Sequence, residues 1–126
     1  MPLRDARAGL SAISDEMFQR ADGLLALNAP LLGDEELPPP RLLGAFDPVL
    51  LGWCSRELIL GAHGGVVVSN GLFRPIAMVA GRAVGIWAMR AGVVRIEPFG
   101  RLRRADAAAL EADAGDVARF LAGDLE

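Results

Sequence analysis

Few residues in this sequence could carry out catalysis. It has one histidine, His63, and one cysteine, Cys54. Ser55, His63 and Asp47 could be combined into a nucleophilic triad, but nothing in their spacing supports that grouping. No group of histidines and cysteines has the spacing of a zinc site. The sequence therefore predicts neither a triad nor a metal centre.

A pair of carboxylates is the other arrangement that could act as general acid and base. Asp47 could pair with Glu57 or Glu97, but acids in such positions more often cap turns or balance arginines. The sequence has no phosphate-binding loop, nucleophile elbow or dinucleotide fingerprint. His63, which precedes two glycines, is predicted to begin a turn, with a functional role as the alternative. We therefore predict no catalytic residue and no cofactor for this chain alone.

Arginine supplies the strongest chemical signal. The segment from His63 to Arg104 holds seven arginines and one acid, Glu97, so its net charge is +6, whereas the whole chain carries −3. Such a basic segment between two acidic ones indicates a phosphate-bearing partner. The candidate phosphate contacts are Arg74, Arg82, Arg90 and Arg95, with Arg101, Arg103 and Arg104 behind them. The alternative is a solvated sheet face whose arginines pair with the acidic flanking segments.

A predicted β-meander carries these arginines. Its apolar, β-favouring runs are Val66–Ser69, Leu72–Val79, Ala83–Met89 and Val93–Phe99. Short turn signals separate them, among them Asn70-Gly71, and Asn-Gly suits a type I′ turn because both central residues of that turn need positive φ. Pro75 cannot donate to a ladder and is predicted to lie at an edge or a bulge. We expect four antiparallel strands in a barrel-like sheet, with the four meander arginines on one surface.

The residues before the meander predict two further parts. Apolar residues recur at helical spacing up to Ile13, and Asp22-Gly23 separates two short apolar runs, so residues 1–28 should form a helix and a β-hairpin. This order resembles the back half of a winged helix. Residues 29–40 contain acids and three consecutive prolines and are predicted to be a linker. Residues 41–126 would then be the main domain.

Within the main domain, Arg41–Phe46 is predicted as a short strand. Asp47-Pro48 should start a turn, and Ser55 could cap a short helix. An apolar stripe predicts a C-terminal helix over Asp106–Ala122 that packs on the sheet. Both tryptophans, Trp53 and Trp87, are interpreted as core residues. The expected fold class is therefore α+β.

Length and composition limit the class of protein. The 126 residues suit one domain, or one domain and a fragment of another. The hydrophobic fraction is 52% and the mean hydropathy is +0.34, yet no apolar run reaches the ~18 residues of a membrane span. The single cysteine and the charged N-terminus predict a cytoplasmic protein without an export signal. The excess of apolar residues suggests a face that a partner covers.

Several segments together resemble one protein family. They are RLLGAFDPVLLGW (41–53), SRELIL (55–60), NGLFRPIAMVAGRAVGIW (70–87), RIEPF (95–99) and LEADAGDVARFLA (110–122), with a looser likeness in residues 3–13 and 21–27. The family is that of bacterial winged-helix DNA-binding-domain proteins related to AlkZ-type DNA glycosylases. The resemblance implies a barrel-like C-terminal domain that follows tandem winged helices, and a DNA partner. The family's catalytic glutamines lie in a Gln-apolar-Gln or Gln-apolar-Asp motif, whereas this chain has one glutamine, Gln19, and no such motif.

The sequence thus predicts a DNA-binding accessory or scaffold domain that is not catalytic alone. We expect weak, non-specific binding to duplex DNA, and a fragment of a longer protein or a reduced relative. Upstream winged-helix domains or a second copy of the chain are further candidate partners, and no membrane is expected. The alternative function is a protein–protein docking or dimerisation module.

Overall fold

The structure is a computed structural model that describes residues 2–28 and 36–123. The chain forms two compact units, Met1–Glu36 and Leu37–Glu126. Most of the predicted linker, residues 29–35, lies outside the described residues.

The first unit contains a helix and a hairpin, as the sequence predicts. Helix α1 spans Leu3–Ala12, and a short 3₁₀ turn leads into β1, Met17–Gln19, which pairs antiparallel with β2, Leu25–Leu27. The hairpin turns at Asp22-Gly23, where the N–H of Leu24 donates to the Asp22 carboxylate at 3.1 Å and Gly23 has φ +82°. None of the described residues of this unit is buried.

The second unit contains an open antiparallel sheet between two helical layers. Its elements in chain order are β3 (Arg41–Leu43), α2 (Pro48–Leu51), α3 (Glu57–Leu60), α4 (Gly64–Val67), β4 (Val68–Ser69), β5 (Leu72–Phe73), β6 (Ile76–Val79), β7 (Arg82–Arg90), β8 (Val93–Pro98) and α5 (Arg104–Ala122). The main sheet has the order β3-β6-β7-β8. Since the edge strands β3 and β8 do not pair with each other, the described residues form no closed barrel, and the barrel-like prediction is wrong.

One of the four strands of the main sheet differs from the prediction: β3 stands in place of the predicted strand Val66–Ser69. The run Leu72–Val79 divides at Pro75, which lacks the N–H that a continuous ladder would need. Its first part, β5, pairs with β4 in a separate hairpin, while its second part, β6, pairs with β3 and β7. Gly64–Val67 is helical, so the meander keeps three of its predicted strands, and β3 is added from earlier in the chain.

The predicted turns are confirmed by their backbone angles. Asn70, Ala80 and Ala91 each have φ +50°, and the glycine after each has φ between +75° and +76°. Positive φ at both central residues is what a type I′ turn requires. Two alanines therefore adopt a conformation that side-chain sterics disfavour, because the flanking strands set the twist of the turn.

A bulge in β7 alters which side chains share a face. Ala83 pairs with Met78 and Gly85 pairs with Ala77, so Val84 has no partner on β6. Beyond this point the alternation of the strand is shifted by one residue. Consistent with that shift, Ala83 and Ile86 pack in one core cluster although they are three residues apart.

Each face of the sheet has its own core. One cluster packs the sheet against α2, α3 and α4 and consists of Leu50, Leu60, Val67, Ile76, Ala83 and Ile86. The other packs it against α5 and is built on Leu42, Ala77 and Leu110. Trp87 lies half-buried beside this second cluster, and its indole Nε1 donates to the carbonyl of Leu43 at 2.9 Å. Trp53 is 61% exposed, so its interpretation as a core residue is wrong: the segment after α2 has no regular element to aim it inward.

Asp113 connects α5 to the edge strand β3. Its carboxylate accepts the N–H of Leu42 at 2.7 Å and lies 3.5 Å from the guanidinium of Arg41. Leu42 is buried, so its N–H would otherwise lack a partner at the edge of the sheet. This contact therefore satisfies one backbone donor on the edge strand β3.

No helix among the described residues is long and apolar enough to cross a membrane.

The first prediction concerns Gly85, where β7 and β8 approach closely. A Cβ at this position would lie 2.7 Å from the carbonyl oxygen of Glu97. Gly85→Ala should therefore lower the free energy of unfolding by about 1–3 kcal/mol, because the backbone must shift. Gly44→Ala is the control, since a Cβ there would meet no atom within 4 Å. Urea unfolding measures both, and equal effects of the two substitutions would refute the close approach.

The second prediction concerns Asp113. Asp113→Ala should destabilise the domain by about 1–3 kcal/mol, because the N–H of Leu42 loses its acceptor. Asp116→Ala removes an acid from the same helix whose side chain is 63% exposed and pairs with Arg119, and its effect should stay within about 0.5 kcal/mol. Thermal unfolding compares them, and a loss of stability for Asp116→Ala as large as that for Asp113→Ala would contradict the assignment.

Candidate nucleic-acid interface

The long strand β7 separates the candidate arginines into groups. Arg82 begins the strand and Arg90 ends it. Nine residues in extended conformation set these ends roughly 26 Å apart. Because β8 runs antiparallel to β7, Arg95 lies near Arg90, whereas the residues that follow β8 return to the end where Arg82 lies.

We define the first basic group as the four arginines at the start of β7 and around the start of α5. It consists of Arg82, Arg101, Arg103 and Arg104. The N–H of Phe99 donates to the carbonyl of Val84 at 2.9 Å, which fixes the segment after β8 to this end of the sheet. Arg103 precedes the first turn of α5 and Arg104 begins it, where carboxylates are normally favoured. The fold therefore concentrates positive charge here.

The second basic group consists of Arg90 and Arg95, on neighbouring strands. Arg90 pairs with Val93, and Arg95 pairs with Ala88, so the two arginines are diagonal neighbours whose Cα atoms are about 7–8 Å apart. They line an open depression together with Ala88, Val93 and Glu97. By strand alternation, this group lies on the face of the sheet opposite α5.

Arg74 belongs to neither group. It lies between β5 and β6, where its N–H donates to the carbonyl of Val67 at 2.8 Å. The expectation that Arg74, Arg82, Arg90 and Arg95 share one surface is therefore wrong. Arg82 and Arg90 are eight residues apart, an even spacing that would place them on the same face of a regular strand, but the bulge at Val84 reverses this relation.

The candidate arginines have few acidic partners. Within residues 2–28 and 36–123, Arg103 pairs with Asp106 at 3.1 Å, and none of the other six forms an ion pair with a described carboxylate. Two further acids of α5 pair elsewhere, Asp113 with Arg41 and Asp116 with Arg119. Among the described residues, only one of the seven candidate arginines is therefore neutralised by a flanking acid, as the alternative interpretation would require for all of them.

The residues considered for catalysis have other contacts. The Asp47 carboxylate accepts the N–H of Val49 at 2.9 Å and caps α2, and Ser55 Oγ lies 3.5 Å from the N–H of Glu57. His63 is half-buried, with its ring stacked on Phe99 at a centroid distance of 4.1 Å. All three candidate triad residues are described, and no hydrogen bond joins any two of them. The described part of the chain also holds no group of three potential metal ligands.

Sequence reasoning missed the surroundings of His63. The histidine lies beside Phe99 and lines a depression with Arg101, at the same end of the sheet as the first basic group. Nothing in the sequence around His63 indicates this proximity, because 35 residues lie between it and Phe99. The pairing of β7 with β8 brings Phe99 to the start of β7, where its ring meets His63 from the turn before α4.

The comparison with protein-family models identifies the family. The model described as DNA glycosylase AlkZ-like matches residues 2–120. The chain belongs to the AlkZ-like family. This match confirms the resemblance found in the sequence from Arg41 onward. It also extends the resemblance of this AlkZ-like chain to residues of the first unit.

Two similar proteins come from Streptomyces sahachiroi. The "Interstrand DNA cross-link repair glycosylase" is 35% identical over 98 residues, which cover 75% of this chain and 25% of the relative. The solved structure of "Streptomyces sahachiroi DNA glycosylase AlkZ" matches with a TM-score of 0.72 and 25% identity over 94% of this chain and 34% of the relative. The AlkZ-like chain thus spans about a quarter to a third of the relatives it matches.

Proposed function

We propose that this AlkZ-like chain is a DNA-contacting accessory domain of DNA repair that lacks glycosylase activity on its own. The observation that carries the proposal is the set of exposed arginines without ion-pair partners among the described residues. Arginine binds phosphate bidentately, so exposed arginines without protein partners suit a nucleic-acid backbone. Both Streptomyces relatives are named as DNA glycosylases, which supports a DNA partner.

The first basic group is the part we assign to the duplex. It combines four arginines with the positive end of the longest helix, and anions are favoured there. The second basic group has two arginines, and Glu97 lines the same depression. The later part of α5 carries Glu111 and Asp116, which are exposed and repel phosphate. DNA would therefore approach the sheet end where α5 begins.

The absence of the family's glutamine motif from the sequence supports the non-catalytic part of the proposal. The chain's one glutamine, Gln19, lies in strand β1. Its side-chain Nε2 donates to the carbonyl of Gly23 at 3.2 Å, across the turn of the hairpin. That contact gives Gln19 a local role in the turn. We further propose that the first unit corresponds to part of a winged helix. The cytoplasmic location of the protein remains a prediction.

A docking module is the second candidate function. It is favoured by the exposed apolar side chains of the first unit, which include Leu3, Leu10, Ile13, Phe18 and Leu25. Exposed apolar patches often mark protein–protein contacts. A domain that only docks on another protein would show no salt-dependent binding to duplex DNA.

The third prediction is that the whole chain binds duplex DNA weakly and that this binding weakens with salt. The double variant Arg82→Ala/Arg104→Ala should lower the slope of log K against log salt by about two, since each lost phosphate contact removes roughly 0.9. Fluorescence anisotropy of a labelled duplex at several salt concentrations measures this slope. The expected affinity of the parent chain is no better than about 10⁻⁴–10⁻⁶ M, the range of non-specific binding.

Two further double variants control this experiment for net charge. Arg20→Ala/Arg119→Ala removes the same charge from arginines that pair with Asp22 and Asp116, and it should leave the slope nearly unchanged. Arg90→Ala/Arg95→Ala tests the other end of the sheet. If this variant alone lowers the slope, the assigned surface is wrong, and if the parent chain does not bind at low salt, the DNA proposal fails.

The fourth prediction is that the purified chain releases no base from an alkylated duplex. The reason is that the chain lacks the glutamine pair on which the family's chemistry depends. Chromatographic detection of released base is the measurement, with the heat-denatured chain as control. Release above this control that co-purifies with the chain would refute the non-catalytic role.

A further inference from the structure

The depression beside His63 combines polar groups from parts of the chain that are distant in sequence. Its lining includes His63 from the turn before α4, Ala83 and Val84 from the start of β7, and Phe99 and Arg101 from the segment after β8. Its volume is about 230 Å³. This is smaller than the roughly 300–1,000 Å³ of typical small-molecule pockets, so it suits one compact group.

The donors of this depression have no acceptor among the described residues. Neither ring nitrogen of His63 forms a hydrogen bond with a described residue, although the histidine is half-buried. The guanidinium of Arg101 and the backbone N–H groups of Gly100 and Leu102 likewise donate to no described acceptor. A neutral imidazole supplies one N–H donor and an imidazolium two. The site therefore offers several donors and a positive charge.

The stacking of His63 on Phe99 gives the imidazole a fixed orientation. The two rings are 4.1 Å apart between centroids and 13° from parallel. The N–H of Phe99 donates to the carbonyl of Val84 at 2.9 Å, and its half-buried ring packs against the core cluster that contains Ile86. The ring nitrogens therefore lie at the edge of a stacked pair, and little side-chain entropy is lost when they bind a ligand.

We propose that His63 and Arg101 form a binding site for a single phosphoryl group, and that its ligand is a phosphate of the nucleic-acid backbone. The proposal rests on the proposed DNA function and adds a residue outside the arginine set. Arg101 supplies the charge and His63 supplies an oriented donor.

The test uses His63 as its own reporter, since one histidine gives one imidazole signal in NMR spectra of the labelled chain. Titration with a short duplex should shift this signal in parallel with the anisotropy change. Arg101→Ala should weaken duplex binding about tenfold and lower the salt slope by about one. His63→Phe keeps the aromatic stack but removes the ring nitrogens, so it should weaken binding about threefold while the melting temperature and the salt slope stay unchanged.

Each alternative outcome overturns a defined part of the inference. If the duplex binds and the His63 signal does not move, this site is refuted while the proposed function stands. If the parent chain does not bind duplex at all, both fail. Inorganic phosphate is the second probe: a shift of the signal with phosphate but not with duplex would assign the site to a free phosphate compound and overturn the nucleic-acid part. Arg90→Ala is the control, and it should leave the duplex-induced shift of His63 unchanged.

Discussion

The close contact between β7 and β8 at Gly85 is the constraint on which the rest of the domain depends. A side chain at this position would collide with the carbonyl of Glu97, and the bulge at Val84 lies directly beside it. Because of the bulge, Ala83 and Ile86 pack in the core cluster against α2, α3 and α4. Val84 and Trp87 pack beside the core cluster against α5. The bulge also fixes which arginines face α5. The length of β7 separates the basic residues into two groups, and this one local irregularity places Arg82 and Arg90 on opposite faces of the sheet.

The same strand pairing places polar residues from distant parts of the sequence close to one another. The hydrogen bond from Phe99 to Val84 returns the chain to the start of β7, so Arg101 lies beside the depression that His63 lines. Asp113 contributes from the other side of the sheet, since it connects α5 to β3 and so fixes the helix that begins at Arg104, directly after Arg103. Membership in the AlkZ-like family gives this arrangement a context in DNA repair, and the proposed role of the domain is to contact duplex DNA rather than to release a base from it.

Local signals in the sequence predicted the local structure well. The Asp22-Gly23 and Asn70-Gly71 turns and the helix that ends before Gly123 follow from backbone preferences that neighbouring residues determine. The register of the sheet could not be predicted in this way. The chemistry of Pro75 predicts a missing donor, but it does not predict that β5 leaves the main sheet at this residue, and the amino-acid composition gives no sign of the bulge at Val84. Because the arginine positions depend on that register, the site was predicted as a set of residues and not as a surface.

The most direct measurement is the mapping of backbone amide shifts of the whole chain during titration with a short duplex at low salt. We expect the shifts to concentrate in residues 82–84 and 99–104 and in His63, while the later, acidic part of α5 and the exposed segment around Trp53 change little. Shifts confined to the Trp53 segment or to the first unit would contradict the assigned DNA surface and favour a docking surface. An unchanged spectrum at saturating duplex would contradict any DNA contact by this chain.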